Sequence, residues 1–352
     1  ETAKALAAYA QFLKDEVIPN AQGEFAAGKA LFEEMLRENH FLEYTAESLL
    51  QKGWALFEET QQAMEKVAQE IDPSRSAKEI LEAAKDDHPS AKDLLDAYRR
   101  EVARARQFVV DHDIVTIPPN ESLRVEPTPA HMRAVLPYAA YMMPGPLEEK
   151  QEGIFIVTPV SPRAPKEAQT SKLRGHNYAK LPVTALHEAY PGHHLQLVYA
   201  NSVGSLPRKL GSALSSLFVE GWAFYCEELM EQLGFIDQPI QKLGRLKDQL
   251  WRAARIILDV SLHTQGMTVD EGVAFLVDRV GLEPKDAMAE VKRYTSSPTQ
   301  PMSYLIGKLE ILNVIEAYKK QHPNASLREM HDRILACGSL PPKLLAEELL
   351  GG

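Results

Sequence analysis

The stretch Leu181 to Ala200, LPVTALHEAYPGHHLQLVYA, decides how this chain is read. It places His187, His193 and His194, three of the chain's 11 histidines, beside Glu188 on a segment of helical pattern. A His-Glu pair on a helix is half of a zinc-hydrolase signature. In that signature a second histidine one turn on completes the pair of imidazole ligands, and the glutamate works on the water. Here the fourth residue after His187 is Pro191, so the strict form of the motif is absent. Pro191 withholds an amide from the helix and Gly192 tolerates unusual dihedrals, so a bulge or wide turn is expected between His187 and His193. In an unbroken helix His193 would lie about 9 Å up the axis and off the face of His187. Looping out two residues returns it to that face. His193 is therefore the expected ligand. His194 is read as a catalytic group, facing the substrate or hydrogen-bonding behind the ligands, with an exchange of the two as the alternative.

Two imidazoles leave a third ligand to find. The next helical segment, LGSALSSLFVEGWAFYC (Leu210–Cys226), has one charged residue, Glu220. A carboxylate in so apolar a helix costs several kcal/mol unless a cation meets it, so Glu220 is the expected third ligand of one zinc ion per chain. Glu188 is the expected general base. Glu227 and Glu228 read either as surface charge or as acceptors behind the ligands.

Two further sets carry chemistry. Arg252, Arg255, Asp259 and His263 recur at helical spacing in WRAARIILDVSLHTQG (Trp251–Gly266) and form one polar stripe. Either the stripe is a salt-bridged exposed face, or His263 meets the developing oxyanion with Asp259 fixing its tautomer. In RYTSSPTQPMSYLIGK (Arg293–Lys308), Arg293 and Tyr294 are candidate substrate-binding groups and Tyr304 a candidate catalytic donor.

Around these blocks the chain reads as mainly α. Residues 1–112 run helix after helix, with Leu6, Tyr9, Phe12 and Leu13 opening the apolar periodicity, and form a helical scaffold. Residues 113–352 form the catalytic region and are expected to be continuous with it. Its first part, 113–165, holds a small sheet. Ile114–Ile117 and Leu123–Val125 are short β-prone runs, and Ile154–Thr158 is the strongest strand, expected as an edge that pairs with substrate. Breaks are expected near 201–207, 234–239, 281–284 and 296–301.

Composition closes off several classes. With 352 residues, 45% hydrophobic and 25% charged, the chain is neither disordered nor a disulfide scaffold. A net charge of −10 without a basic patch excludes a nucleic-acid footprint. There is no apolar run of the ~18 residues that a membrane span needs. Cys226 and Cys337 read as buried free thiols, with a disulfide as the alternative. The chain opens at Glu1 already in a helical pattern, so a processed or partial chain is expected.

Three blocks together resemble a known family. HEAYPGHHLQ (His187–Gln196), FVEGWAFYCEEL (Phe218–Leu229) and RYTSSPTQPMSYLIG (Arg293–Gly307) are similar to the hallmark segments of the bacterial family called domain of unknown function 885. The helical run Tyr9–Ala68 and the strand GIFIVTPV (Gly153–Val160) fit it as well. The resemblance implies a large helical, zincin-like metallopeptidase fold, similar in plan to carboxypeptidase Taq and thimet oligopeptidase, with a small sheet beside the active-site helix. It implies a metal-dependent hydrolase, often exported or lipid-anchored, with His187, Glu188, His193, His194 and Glu220 at the site. Family members are commonly longer at the N-terminus, so a leading helical portion is expected to be absent here. The activity expected is zinc-dependent cleavage of short peptides. Hydrolysis of a non-peptide amide or ester is the close alternative, and a helical binding module with a structural metal or none is the distant one.

Overall fold

The computed structural model describes residues 1–133, 136, 138–211 and 214–351. It is mainly α with one small sheet. The elements that position the site are α1 (Ala46–Ile71), α2 (Leu94–Asp111), β1 (Glu121–Pro127), β2 (Ala139–Met142), β3 (Gln151–Val157), α3 (Leu181–Glu188), α4 (His193–Ser202), α5 (Ser216–Gln232), α6 (Pro239–Thr264), α7 (Pro284–Thr295) and α8 (Ser303–Gln321).

Two apolar cores hold these together. One gathers around α3, α4 and α5, with Trp222, Phe218 and Leu186 fully buried against α2 and β3. The other forms where α1 lies along α6, both 26 residues long, and extends into α7 and the start of α8. A β-carbon at Gly53 would stand 2.9 Å from Ile256, so the absence of a side chain lets the two long helices close. Each core draws residues from both sides of position 112. The helix Thr2–Phe12 joins neither, and its Leu6, Tyr9 and Phe12 stripe is exposed, so the scaffold expected from that periodicity does not include this helix.

A close helix crossing joins α5 to α8. A β-carbon on Gly307 would meet the Leu217 carbonyl oxygen at 2.0 Å, and one on Gly221 would meet the Gly307 carbonyl carbon at 2.4 Å. Backbone therefore lies on backbone, and Tyr304 is carried to the side of Glu220.

The sheet corrects two expectations. Its order is β1-β3-β2, with β1 parallel and β2 antiparallel to β3. Tyr141 pairs with Phe155 and Ala140 with Ile156. The strong strand is thus the central one, hydrogen-bonded on both sides, and cannot take a substrate as an edge. A strand buried on both faces carries a continuous apolar run, so the plainest β signal marks the middle of a sheet. The edges are β1 and β2, and the AAYM of β2 gave no such signal. Ile114–Ile117 is not a strand but a buried connection leading to β1. The helix breaks fall where Gly and Pro placed them. Cys226 and Cys337 are both free and buried.

Candidate metal centre

The helix of the opening motif is cut in two. α3 stops at Glu188, Ala189 leaves helical geometry, the Tyr190–Pro191 peptide is cis, and α4 restarts at His193. Three contacts hold the break. The Gly192 amide donates to the Leu186 carbonyl at 3.1 Å, capping α3. The Trp222 indole N–H donates to the Pro191 carbonyl at 2.9 Å, tying the loop to α5. A β-carbon on Gly192 would lie 1.9 Å from the His187 carbonyl oxygen, so only glycine fits. The expected bulge is a full break, and it does what the spacing required: His187 and His193 face each other, ring centroids 4.7 Å apart.

Glu220, from α5, closes the group. Ligand atoms of His187, His193 and Glu220 all lie within 4.8 Å of one another, the only such trio of His, Cys, Asp or Glu among the described residues. Glu220 Oε2 is 3.3 Å from His193 Nε2 and 3.9 Å from His187 Nε2. Behind them Glu227, almost fully buried, accepts from His187 Nδ1 at 2.8 Å. That bond makes Nδ1 the protonated nitrogen and leaves the Nε2 lone pair directed at the trio. Glu227 is therefore an acceptor behind the ligands rather than surface charge.

Burial pushes the Glu220 carboxyl upward, but His193, His187 and the Tyr304 hydroxyl outweigh it and hold it at about 2. Burial lowers His193, and Glu220 with the nearby Glu188 and Glu227 raises it above its usual value. The pairing is incomplete even so. Glu220 Oε2 and His193 Nδ1 are buried and lack a hydrogen-bond partner among the described residues. Two imidazoles and a carboxylate converging with unused lone pairs are the donor set of a zinc-type ion, so the residues fit the metal that the sequence implies.

The trio opens into a cleft of about 420 Å³. Glu188 stands half-buried on its wall beside Tyr98, whose hydroxyl is pushed upward by burial and by the Glu188 charge. β2 supplies Ala139, Ala140 and Tyr141, while Trp251, Arg252, Arg255 and Tyr304 stand on the same wall lining. Burial and the nearby Glu220 raise the Tyr304 phenol, keeping its proton in place.

Of the residues expected at the site, His187, Glu188, His193, Glu220 and Tyr304 meet in this cleft, and four others do not. His194 is turned about 100° from its neighbour, as any adjacent helical residue is. It is fully buried, its Nε2–H donates to Glu121 at 2.8 Å, and the Tyr141 hydroxyl bonds Nδ1 at 3.0 Å. It does not face substrate. Gly153 makes room for this pair, since a β-carbon there would lie 2.5 Å from the Tyr141 oxygen. His263 lies at the far end of α6, where it accepts from the Ala27 amide, donates to the Tyr294 carbonyl and packs against Phe25 and Phe32. Asp259 is 4.0 Å from it and instead accepts from the Thr299 and Met302 amides. The polar stripe is thus split: its first two members reach the cleft, Asp259 anchors the loop before α8, and His263 ties α7 to the segment at Ala27. Arg293 and Tyr294 stand a layer behind the cleft. Arg293 bonds Glu290 and Gln300. The Tyr294 hydroxyl accepts from Arg255 at 3.0 Å and donates to Glu290 at 2.8 Å. They brace Arg255 rather than bind substrate.

A mainly helical fold with a His/His/Glu trio lining a cleft, its two histidines buried and its glutamate half-buried, defines the class. The chain belongs to a bacterial family of unknown function, DUF885, whose sequence model matches residues 1–349. No curated protein matches it. Among solved structures it is similar to a candidate lipoprotein of unknown function from Shewanella oneidensis, at 29% identity and a TM-score of 0.82 over 99% of this chain and 63% of that one. It is also similar to a candidate lipoprotein from Colwellia psychrerythraea, at 21% identity and a TM-score of 0.83 over 96% of this chain and 58% of that one. The chain thus spans about three fifths of each of these proteins. Among the described residues no helix is long and apolar enough to cross a membrane.

Proposed function

We propose that the chain is a metal-dependent hydrolase of short peptides with a zincin-like centre, in which His187, His193 and Glu220 hold one zinc ion. The observation that carries this reading is the convergence of ligand atoms from His187, His193 and Glu220, in which Glu220 Oε2 is buried without a hydrogen-bond partner among the described residues, with Glu188 on the cleft wall beside them. When bound, the ion would supply Lewis acidity toward a carbonyl and acidify water.

The chain's own residues do the rest. Glu188 takes a proton from the attacking water and returns it to the leaving amine. Glu227 holds the His187 tautomer and ring orientation. The outer side of β2 has no partner strand among the described residues, so its backbone groups serve an extended peptide by strand addition. Tyr304 offers a donor to charge that develops on the carbonyl oxygen. The similar candidate lipoproteins also support an exported, lipid-anchored setting for the whole protein.

Elemental analysis of purified protein should find about one zinc per chain. A chelator should abolish cleavage of a short-peptide library, and zinc should restore it. Release of products only from non-peptide amides or esters would move the substrate class while keeping the chemistry. Protein that holds no metal, with the trio hydrogen-bonded among itself, would overturn the reading.

A further inference from the structure

One wall of the cleft carries more positive charge than its partners neutralise. Lys180 and Arg252 share a single carboxylate, Asp248, each at 3.3 Å. Arg255 and Arg293 likewise share Glu290, each at 3.0 Å. On the wall and just behind it, where Arg293 and Glu290 lie, four cations thus share two anions. Two donors there are also unused: Arg255 Nη1 and Arg252 Nε are buried with no hydrogen-bond partner. Arg255 is only 5% exposed, and leaving a buried charged donor unpaired is costly. Both arginines nevertheless line the cleft, as do Lys180 and Asp248.

The arginines are fixed, not loose. Trp251 and Tyr304 stack against the Arg255 guanidinium at 4.6 and 4.5 Å, and Arg252 lies 5.4 and 5.7 Å from the same rings. Tyr294 and Glu290 hold two more edges of Arg255. A rigid, planar donor with one free side is suited to a carboxylate. Tyr304 joins this corner to the trio, since it touches Arg255 with its ring and bears on Glu220 with its hydroxyl.

We propose that Arg252 and Arg255 form an anchoring site for the free C-terminal carboxylate of a peptide, so that the cleft releases residues from C-terminal ends. The inference rests on the peptidase reading above for the cleavage, but not for the binding. With the anchor one aromatic ring from the trio, an amide about one residue back from the carboxylate falls at Glu188 and the metal ligands. An amidated terminus loses the charge that the corner lacks.

The test uses metal-free protein, so that binding is read without turnover. Calorimetric titration should compare N-acetyl amino acids with their C-terminal amides. The acids should bind roughly 10–100-fold more tightly. Arg252→Gln and Arg255→Gln should each erase most of that preference. Should Arg255→Gln fail to fold, Arg252→Gln and the acid-to-amide ratio of the unaltered chain decide the matter. Equal binding of acids and amides would overturn the proposal. So would preferential binding of N-acetylaspartate or N-acetylglutamate amides, which carry a carboxylate only on the side chain. With zinc restored, N-blocked dipeptides should be cut and their amides spared. If nothing is cut but the acid preference holds, the hydrolase reading fails and the anchor stands. If amides are cut as readily as acids, the anchor fails and the hydrolase stands.

Discussion

His193 and His194 are neighbours in the chain, yet they belong to two opposite kinds of polar cluster. Around His194 everything is finished. Both ring nitrogens are bonded, Tyr190 donates to Glu121 at 2.6 Å, and Arg106 donates to the same carboxylate at 3.0 Å. Around His193 the account does not close: its Nδ1, Glu220 Oε2 and Glu227 Oε2 are buried and unbonded. A completed buried network stabilises and specifies a fold. An incomplete one costs free energy, so its unbonded atoms call for an explanation, which an ion held by the trio would supply. The difference between the two clusters is thus the ground on which the proposed function gives His193 a chemical role and His194 a structural one, a division that residue type alone does not give.

The largest effect that can break this comparison is on turnover. Glu188→Gln should lower peptide cleavage by about 10²–10⁴-fold while metal content stays at the wild-type level. Metal analysis beside a kinetic assay checks both halves, and loss of the ion with this variant would assign Glu188 to the wrong cluster role.

Next come the histidines themselves. His194→Ala should cost roughly 2–5 kcal/mol of unfolding free energy, because it strands the buried Glu121 carboxylate and opens a cavity, and it should leave zinc bound. His193→Ala should strip the zinc and cost the metal-free protein far less. Denaturant unfolding with and without chelator reads both; equal stability losses in the two metal-free variants would erase the distinction.

A smaller effect sharpens the view of the ligand cluster. Glu227→Gln should weaken zinc affinity by roughly 10–100-fold, since the amide cannot hold the His187 tautomer as the carboxylate does. Competition with a chelating dye measures it, and unchanged affinity would make Glu227 a packing residue only.

A further effect concerns pH, and per pH unit it is modest. His331 is another finished histidine, bonded to Tyr225 and to the Ile114 carbonyl, and burial pushes it down to about 4. Burial lowers His40 to about 4 as well. Each stays neutral when folded but charges near pH 6.5 when unfolded, so the unfolded state binds more protons between those values. Stability should thus fall as pH drops from about 6.5 to about 4, by up to ~1.4 kcal/mol per pH unit for each histidine. Thermal midpoints across that range check it, and His331→Gln should flatten the slope. The depressed carboxyls of Glu220 and Glu290, both at about 2, lose their contribution only in more acid solution.

Legibility in the sequence followed the density of chemistry. The helical plan and its breaks could be read because Gly and Pro punctuate strongly, and His187, Glu188, His193 and Glu220 because each is chemically out of place in its apolar surroundings. The stripe of α6 misled because periodicity tells which residues share a face but not where along a 26-residue helix the cleft ends. Arg252 and Arg255 fall inside that limit, and Asp259 and His263 beyond it. Arg293 and Tyr294 misled differently: a layer of bracing residues has the same composition as the layer that it braces. β2 was missed because Ala139–Met142 is short and lies among prolines, so its role as an edge is set by β3 and not by its own residues.

The crossing at Gly221 and Gly307 has a bearing on any attempt to redesign the cleft. It seats Glu220 of α5 beside Tyr304 of α8, and nothing thicker than a hydrogen atom spaces the helices there. Even a single methyl at Gly307 would have to force the helices apart, and a displacement near 1 Å is enough to spoil catalytic alignment. Libraries that vary the cleft lining can explore its chemistry freely, but they inherit the spacing of Glu220 and Tyr304 from two positions that line none of it.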